Sequence, residues 1–373
     1  VTEIERQISA EIRLNGPVPF SRFMETALYC PVYGFYEKEA DTIGRAGHFY
    51  TSVSVGPLFG ELLAFKFAQW IDGRRVPPEA PVLVEAGAHD GALASDILGW
   101  FHFHRPDLYE RLGYVVIEPS SRRAAWQNDR LGVHARRLSR VKRVEDLEAV
   151  QPGRRAGLDA IIFSNELLDA FPVHRLAWVR QERRWAERGV TLENGRLAWC
   201  TMEIQSPDLA GSLPGEGNPL LEYLPDGYVI DVCPAATRWW VAAASVLHSG
   251  VMLAIDYGFA DEDWLSPART GGTLRAYRGH QCSDRVLEAA GEQDLTAHVN
   301  FPEIIKAGED AGLETEVFQP QGRFLTRVAT EIPPGHSFAP PWDAARNRQF
   351  ATLAHPDHLG HTFKVLVQGK SLT

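Results

Sequence analysis

The sequence predicts an α/β fold: a doubly wound, mainly parallel sheet with an N-terminal helical and loop extension and an antiparallel inserted region. Three observations predict it. Short apolar segments alternate with helix-patterned ones: PVLVEAG then ALASDILGWFHFH, YVVIEPS then a helix from Arg122 to Leu131, then DAIIFSNELLDAFP and, later, VMLAIDYG. Each of these strands ends on polar residues, namely Glu85, Glu118, Asn165 with Glu166, and Asp256. That is the edge at which open α/β sheets hold ligands. Between the third and fourth strands, over about 176–230, the pattern changes to simple alternation with turn signals at Arg188-Gly189 and Glu193-Asn194-Gly195, which reads as antiparallel strands.

Upstream, Thr2 to Leu14 reads as a helix ended by Asn15-Gly16-Pro17. Pro19 to Leu28 reads as a second, with Phe20, Phe23, Met24 and Leu28 on one side. The Gly- and Tyr-rich stretch from Tyr29 to Pro57 is too long for a simple connection, so it is read as a functional loop. Leu58 to Trp70 is an apolar helix closed by Pro77, Pro78 and Pro81. The chain thus divides into an extension, 1–76, expected to pack over the ligand site, and a sheet domain, 77–373. FKVLVQGK reads as a final strand.

Composition narrows the function classes. With 45% hydrophobic residues in 373, the chain can bury a substantial core. A net charge of -10 argues against general affinity for nucleic acid, and the cluster Arg136, Arg137, Arg140, Lys142 and Arg143 is read as a solvated face. Cys30, Cys200, Cys233 and Cys282 lie far apart with no CxxC, which suggests reduced thiols in a cytosol-like compartment. No apolar run reaches membrane-spanning length. The mixed-charge N-terminus reads as neither a signal nor a transit peptide, and Val1 as the start of a trimmed chain. His355, His358 and His361 are spaced by three, but Pro356 and Gly360 prevent one helix from presenting all three, so no metal is expected.

The turn after the first strand, VEAGAHDG, raises the question of a nucleotide cofactor. Gly87 and Gly91 permit a tight turn and close backbone approach. A dinucleotide site would read G-x-G-x-x-G. Here His89 stands at the second glycine and Asp90 would repel a pyrophosphate, while no Gly-Lys-Ser/Thr follows to make a P-loop. The E-x-G-x-x-x-G pattern suits S-adenosylmethionine instead. Glu85 would face its cationic end, the turn amides its carboxylate, and Glu118 both ribose hydroxyls. A purely structural strand–turn–helix junction is the competing reading, and Glu118 alone does not separate this cofactor from NAD.

Several blocks, in order, then carry a resemblance: GPVPFSRFMETALYCPVYGFY, GRAGHFYTSVSVGPLFGELLAFKF, VEAGAHDGALASDIL, FSNELLDAFPVHR, GGTLRAYRGH, GEQDLTAHVNF, QGRFLT and HLGHTFKVL. They resemble the MidA-like methyltransferases, a family that includes the mitochondrial protein arginine methyltransferase assisting respiratory complex I assembly. The resemblance covers nearly the whole chain. It implies a Rossmann-like methyltransferase fold, S-adenosylmethionine as cofactor, and a protein substrate, with a respiratory-complex subunit as candidate. It also implies a cytoplasmic location, or the mitochondrial matrix for a eukaryotic chain. The chain departs from the family at His48, at Val53 and Ser54, and at Ala88, His89 and Asp90.

Arginine methylation poses a physical problem, because guanidinium is always protonated and its lone pairs are delocalised. Two aligned carboxylates would hold the planar fork, draw its charge to the far nitrogens and aim the near one. Glu166 and Asp169, three residues apart after the third strand, are the candidates, with Asp169 alternatively a cap of the following turn. Asn165 joins Thr51 and Ser52 of the long loop as candidate cofactor contacts; ordinary loop hydrogen bonding is the alternative for those two. Asp294, Thr296 and His298 alternate, so an extended segment would put them on one face of the substrate pocket, with His298 a candidate proton acceptor. The altered glycine turn also fits a non-catalytic assembly protein that keeps the fold; a nicotinamide-dependent oxidoreductase is the remaining alternative.

Overall fold

The computed structural model describes residues 1–38, 51–150, 157–214, 217–260, 264–266, 269–279 and 281–370. The part of the long loop that includes His48 lies outside them. The central sheet contains β1 (Val82–Ala86), β2 (Gly113–Ile117), β3 (Leu138–Val141), β4 (Leu158–Asn165), β5 (Leu247–Phe259), β6 (Glu314–Pro320) and β7 (Phe363–Lys370). Their spatial order is β6-β7-β5-β4-β1-β2-β3, with β7 antiparallel to both neighbours and β1 to β5 parallel. Strand order therefore reverses between β1 and β4, which makes their carboxyl ends the topological switch point where such sheets bind ligands.

Burial on both faces explains the apolar runs. Along β4, Ile161 and Phe163 enter the core shared with α3 (Leu58–Asp72) and α4 (Ala92–His104). Ala160 and Ile162 enter the opposite core, with Trp240 of α6 (Pro234–Val246) and Phe301 of α7 (Phe301–Asp310). Between them in sequence, α5 (Ser121–Leu131) follows β2, its first turn capped by the Ser120 hydroxyl, which accepts from the Arg123 amide. The helix α3, placed in the extension by sequence, shares the sheet's own core.

The helices α1 (Glu3–Asn15) and α2 (Phe20–Tyr29) form a third core. The first starts with a capping box between Thr2 and Glu5. Their apolar faces pack with Val190 and Leu295, against two small antiparallel sheets. One is the insert: His174–Val179, Arg184–Glu193, Arg196–Met202 and Val229–Val232, joined by Val18–Pro19. The other contains Arg275–Arg278, Gln281–Ser283 and Asp294–Thr296. Two helices the sequence reading did not place, α8 (Gln321–Thr330) and α9 (Ala344–Ala354), cover the sheet beside α3.

One buried polar residue ties three elements to β7. Gln368, fully buried, accepts from Trp240 Nε1 at 2.7 Å and donates to the Ile305 carbonyl at 3.0 Å and Thr315 Oγ1 at 2.8 Å. Removing the amide strands buried partners. Gln368→Leu is therefore expected to lower unfolding stability by roughly 2–4 kcal/mol in urea denaturation while leaving ligand binding at the far edge of the sheet intact. A change below about 0.5 kcal/mol, the scale of an unremarkable surface substitution, would contradict this account of Gln368.

Candidate active site

At the end of β1 the chain turns through Gly87 at φ +80° and His89 at +44° into Gly91 at +86°. A Cβ on Gly87 would stand 3.1 Å from Leu167 Cδ1. The glycine turn thus adjoins the turn that follows β4. Asp90 changes the character of this cradle. Its carboxylate accepts from the Ala92 amide at 3.0 Å and pairs with Arg130. Burial raises its pKa, but the neighbouring His89 and the paired Arg130 outweigh that and hold it at about 2. The first turn of α4 therefore carries its own anion, and its Ala92 amide is already engaged.

Glu85 is buried and accepts from Tyr114 Oη at 2.6 Å; burial raises its pKa to about 7. Glu118 is more heavily engaged than a cleft-facing ribose ligand should be. Its Oε1 accepts from the Ser120 amide at 2.8 Å and Arg123 Nε at 3.0 Å, and Oε2 accepts from Gln127 Nε2 at 3.1 Å. Arg123 also approaches Glu37 at 3.4 Å, and Glu37 accepts from Ser120 Oγ at 2.7 Å. The two-oxygen contact to a ribose diol is thus corrected: Oε1 is saturated by buried donors, and spare acceptor capacity remains only on Oε2. Glu37 of the extension thus reaches the end of β2, while α1 and α2 pack on the insert.

The turn after β4 holds most of the unusual features. Glu166 adopts φ +52°, a left-handed conformation rare for a non-glycine residue, with its amide donating to the Ile255 carbonyl at 2.9 Å. Its Oε1 accepts from the Ser52 amide and from Asn165 Nδ2, each at 3.0 Å. Its Oε2 is buried with no hydrogen-bond partner among the described residues, as is Asn165 Oδ1. Fully buried Asp256 holds the turn from beneath, its Oδ2 accepting from the amides of Leu167 at 3.1 Å and Leu168 at 2.8 Å. Asp169 and Asp294 complete a group of buried carboxylates. Burial raises Glu166 to about 8 and Asp256 and Asp294 to about 7, and lifts Asp169 well above the carboxylate range with help from Asp256, Asp294 and Glu166.

Sequence reasoning brings Asn165, Glu166, Asp169 and Asp294 to one place, and it leaves Asp256 without a role. The alternation signal did not show that Asp256 supports the turn; it lies within β5, three residues before the strand's last, and carries no motif. The structure separates His298 from the carboxylates. The strand stops at Thr296, and His298 lines a small cavity with Asp231 and Glu303. Burial, with Arg269 and Arg275 nearby, lowers its pKa to about 4, which suits neither the shared face nor the proton-accepting role expected of it. Thr51 and Ser54 bond reciprocally within their own turn, and Ser52 Oγ donates to Gln321 Oε1 at 3.1 Å. Ser52 therefore bears on the site through Glu166, not through a side chain offered to a cofactor. Among the described residues no cluster of metal-ligating side chains occurs, and no helix is long and apolar enough to cross a membrane.

Comparison with known proteins bears on this geometry. A family model described as "Putative S-adenosyl-L-methionine-dependent methyltransferase" matches residues 62–319. The Danio rerio protein arginine methyltransferase NDUFAF7, mitochondrial, is 29% identical over 331 residues, covering 82% of this chain and 72% of that one. A Drosophila melanogaster homolog of that protein is 26% identical over 359 residues, covering 88% and 75%. A crystal structure from Burkholderia thailandensis, described as a "likely methyl transferase" bound to S-adenosyl-homocysteine, superposes with a TM-score of 0.81 at 28% identity, covering 99% of this chain and 92% of that one.

The residues present fit a small cofactor at the β1/β4 crossing: the Gly87 backbone lies open beside a turn bearing the unpartnered Asn165 Oδ1. A branched side chain at Gly87 would be strained at φ +80° and would press on Leu167. Gly87→Val is accordingly expected to weaken S-adenosyl-homocysteine binding at least tenfold by calorimetry before it unfolds the protein; near-native affinity would make the turn purely structural. The raised carboxylate values carry a second expectation. Glu85, Glu166, Asp256 and Asp294 keep protons in the fold that the unfolded chain releases. Stability of the ligand-free protein should therefore fall as pH rises from about 4 through about 8. Melting temperatures at pH 5 and pH 8 test this, with a shallower slope in Glu166→Gln; a protein more stable at pH 8 would contradict it.

Proposed function

Because the chain belongs to the S-adenosyl-L-methionine-dependent methyltransferase family, we propose that it methylates an arginine side chain of a protein partner. The observation that carries this reading is Glu166: a strained, pinned carboxylate at a strand end, with one buried oxygen left unpartnered among other buried carboxylates. The names of the Danio rerio and Drosophila melanogaster relatives support the same substrate class. They are named mitochondrial; for this chain a soluble compartment, cytosol or matrix, and a respiratory-complex subunit as partner belong to the proposal. Family membership leaves the nicotinamide alternative without support.

S-adenosylmethionine, when bound, supplies a methyl group on a cationic sulfonium. Gly87, Asn165 and the remaining capacity of Glu118 Oε2 would hold it, with Glu85 buried within the first strand. The protein must then bring a second cation, the guanidinium, up to the first. Buried carboxylates offset that repulsion far better than water would, because the site screens poorly and the groups are already oriented. Glu166 Oε2 accepts an N–H of the guanidinium, draws positive charge away from the reacting nitrogen and fixes its direction. That same oxygen is also the acceptor placed to take the proton the nitrogen gives up.

A second reading has its own observation. Asp90 occupies the α4 N-terminus and Arg123 occupies Glu118, an arrangement that also suits an assembly protein with weakened cofactor binding. Cofactor titration separates the two. For the enzymatic reading, Glu166→Gln keeps an acceptor for Ser52 and Asn165 and removes the charge. Turnover at saturating cofactor should fall about 10²–10³-fold with cofactor affinity nearly unchanged, as measured by labelled-methyl transfer. Wild-type turnover in the variant would reject the role; lost cofactor affinity alone would make Glu166 a cofactor contact.

A further inference from the structure

We propose that Asp294, held by Tyr36, is the second arm of the substrate fork opposite Glu166. The proposal rests on the arginine reading above. It starts from the way two carboxylates, far apart in sequence, are prepared in the same manner. Glu166 has one oxygen pinned by the Ser52 amide and Asn165, and the other buried without a partner. Asp294, fully buried, has Oδ1 accepting from Tyr36 Oη at 2.7 Å and Oδ2 buried without a partner among the described residues. A buried carboxylate oxygen left in this state is costly unless a donor arrives. Two of them at one site match a ligand with several N–H groups in one plane.

Two other buried carboxylates with an unpartnered oxygen, Glu187 and Asp231, are explained inside the insert: Glu187 meets His174 at 2.6 Å and Asp231 meets Arg175 at 3.0 Å. The pair at the site has no such cation among the described residues. The charges of Glu166 and Asp294 also act on each other and on Asp169, so all three belong to one neighbourhood. Asp169 belongs to the same wall, its carbonyl accepting from the Ala297 amide at 2.9 Å. The capping role that the sequence offered as its alternative is not formed, because its short helical turn has no side-chain cap hydrogen bond.

The wall over the fork is aromatic. Tyr29 and Tyr36 lie with ring centroids 5.5 Å apart and their planes tilted by 35°, and Tyr29 Oη donates to the Ala170 carbonyl at 2.8 Å. The extension thus supplies a ring surface suited to a flat cation and, through Tyr36, fixes which Asp294 oxygen faces the ligand. A lysine ammonium, compact and not planar, would not span two separated oxygens in this way.

The test is calorimetric titration of the full-length protein, saturated with S-adenosyl-homocysteine, with N-acetyl-arginine methylamide and with its lysine counterpart. Wild type is expected to bind the arginine probe at least tenfold more tightly than the lysine probe. Asp294→Asn retains an acceptor for Tyr36 and should lose at least tenfold in arginine affinity and most of the discrimination, with S-adenosyl-homocysteine affinity within twofold. Arginine affinity unchanged in Asp294→Asn but lost in Glu166→Gln would overturn this assignment and leave the arginine reading standing. Wild type that fails to prefer arginine would overturn both. If Asp294→Asn does not fold, Tyr36→Phe decides: a severalfold loss of arginine affinity supports the fork, and none overturns it.

Discussion

Asp256 is the group on which the site depends. Fully buried within the last, turn-facing part of β5, it accepts from the backbone amides of Leu167, Leu168 and Tyr257. Three amide donors compensate much of the cost of burying a carboxylate there, and in return they fix the turn after β4. That turn places Glu166 in its left-handed conformation, sets Leu167 against Gly87, and presents the Asp169 carbonyl to Ala297, just after the third sheet, and the Ala170 carbonyl to Tyr29. Loss of these bonds would release the strain at Glu166 and the glycine turn together, since Leu167 links them.

The electrostatic design follows from this anchor. Four carboxylates share a poorly solvated region at the strand ends, and each raises the cost of ionising the others. The ligand-free site lowers that cost by keeping protons. A cation entering the site would take their place, so binding a guanidinium and releasing protons become one event. On the cofactor side the charges are already balanced internally, Asp90 by Arg130 and Glu118 by Arg123. The two halves of the site therefore differ: one is self-neutralised, and the other is left open to positive charge.

Much of this was legible in the sequence, for identifiable reasons. Strands buried on both faces read as apolar runs, so β1, β2, β4 and β5 stand out, and their polar last residues mark the working edge. Helix starts carry local chemistry, as at Thr2 and Ser120. The insert showed itself through its turns. What did not show depends on contacts distant in the chain. Glu118 looks like a free ribose ligand until α5 folds Arg123 and Gln127 onto it. His298 follows Asp294 at strand spacing, but the strand ends at Thr296 and the two side chains part. Ser52 and Thr51 look like cofactor contacts because nothing local reveals that the Ser52 amide serves Glu166. Asp256 has no motif at all, because its role is written in the backbone amides of another strand's turn.

The central claim is that this fold holds S-adenosylmethionine at the β1 and β2 edge and directs its methyl group to an arginine beside Glu166. Its most direct test is incubation of the protein with methyl-labelled S-adenosylmethionine and a protein extract of its own source, followed by mass-spectrometric assignment of the labelled residue. The account predicts methylarginine on a protein acceptor. Label on another residue type, or cofactor binding with no transfer to any protein, would contradict it.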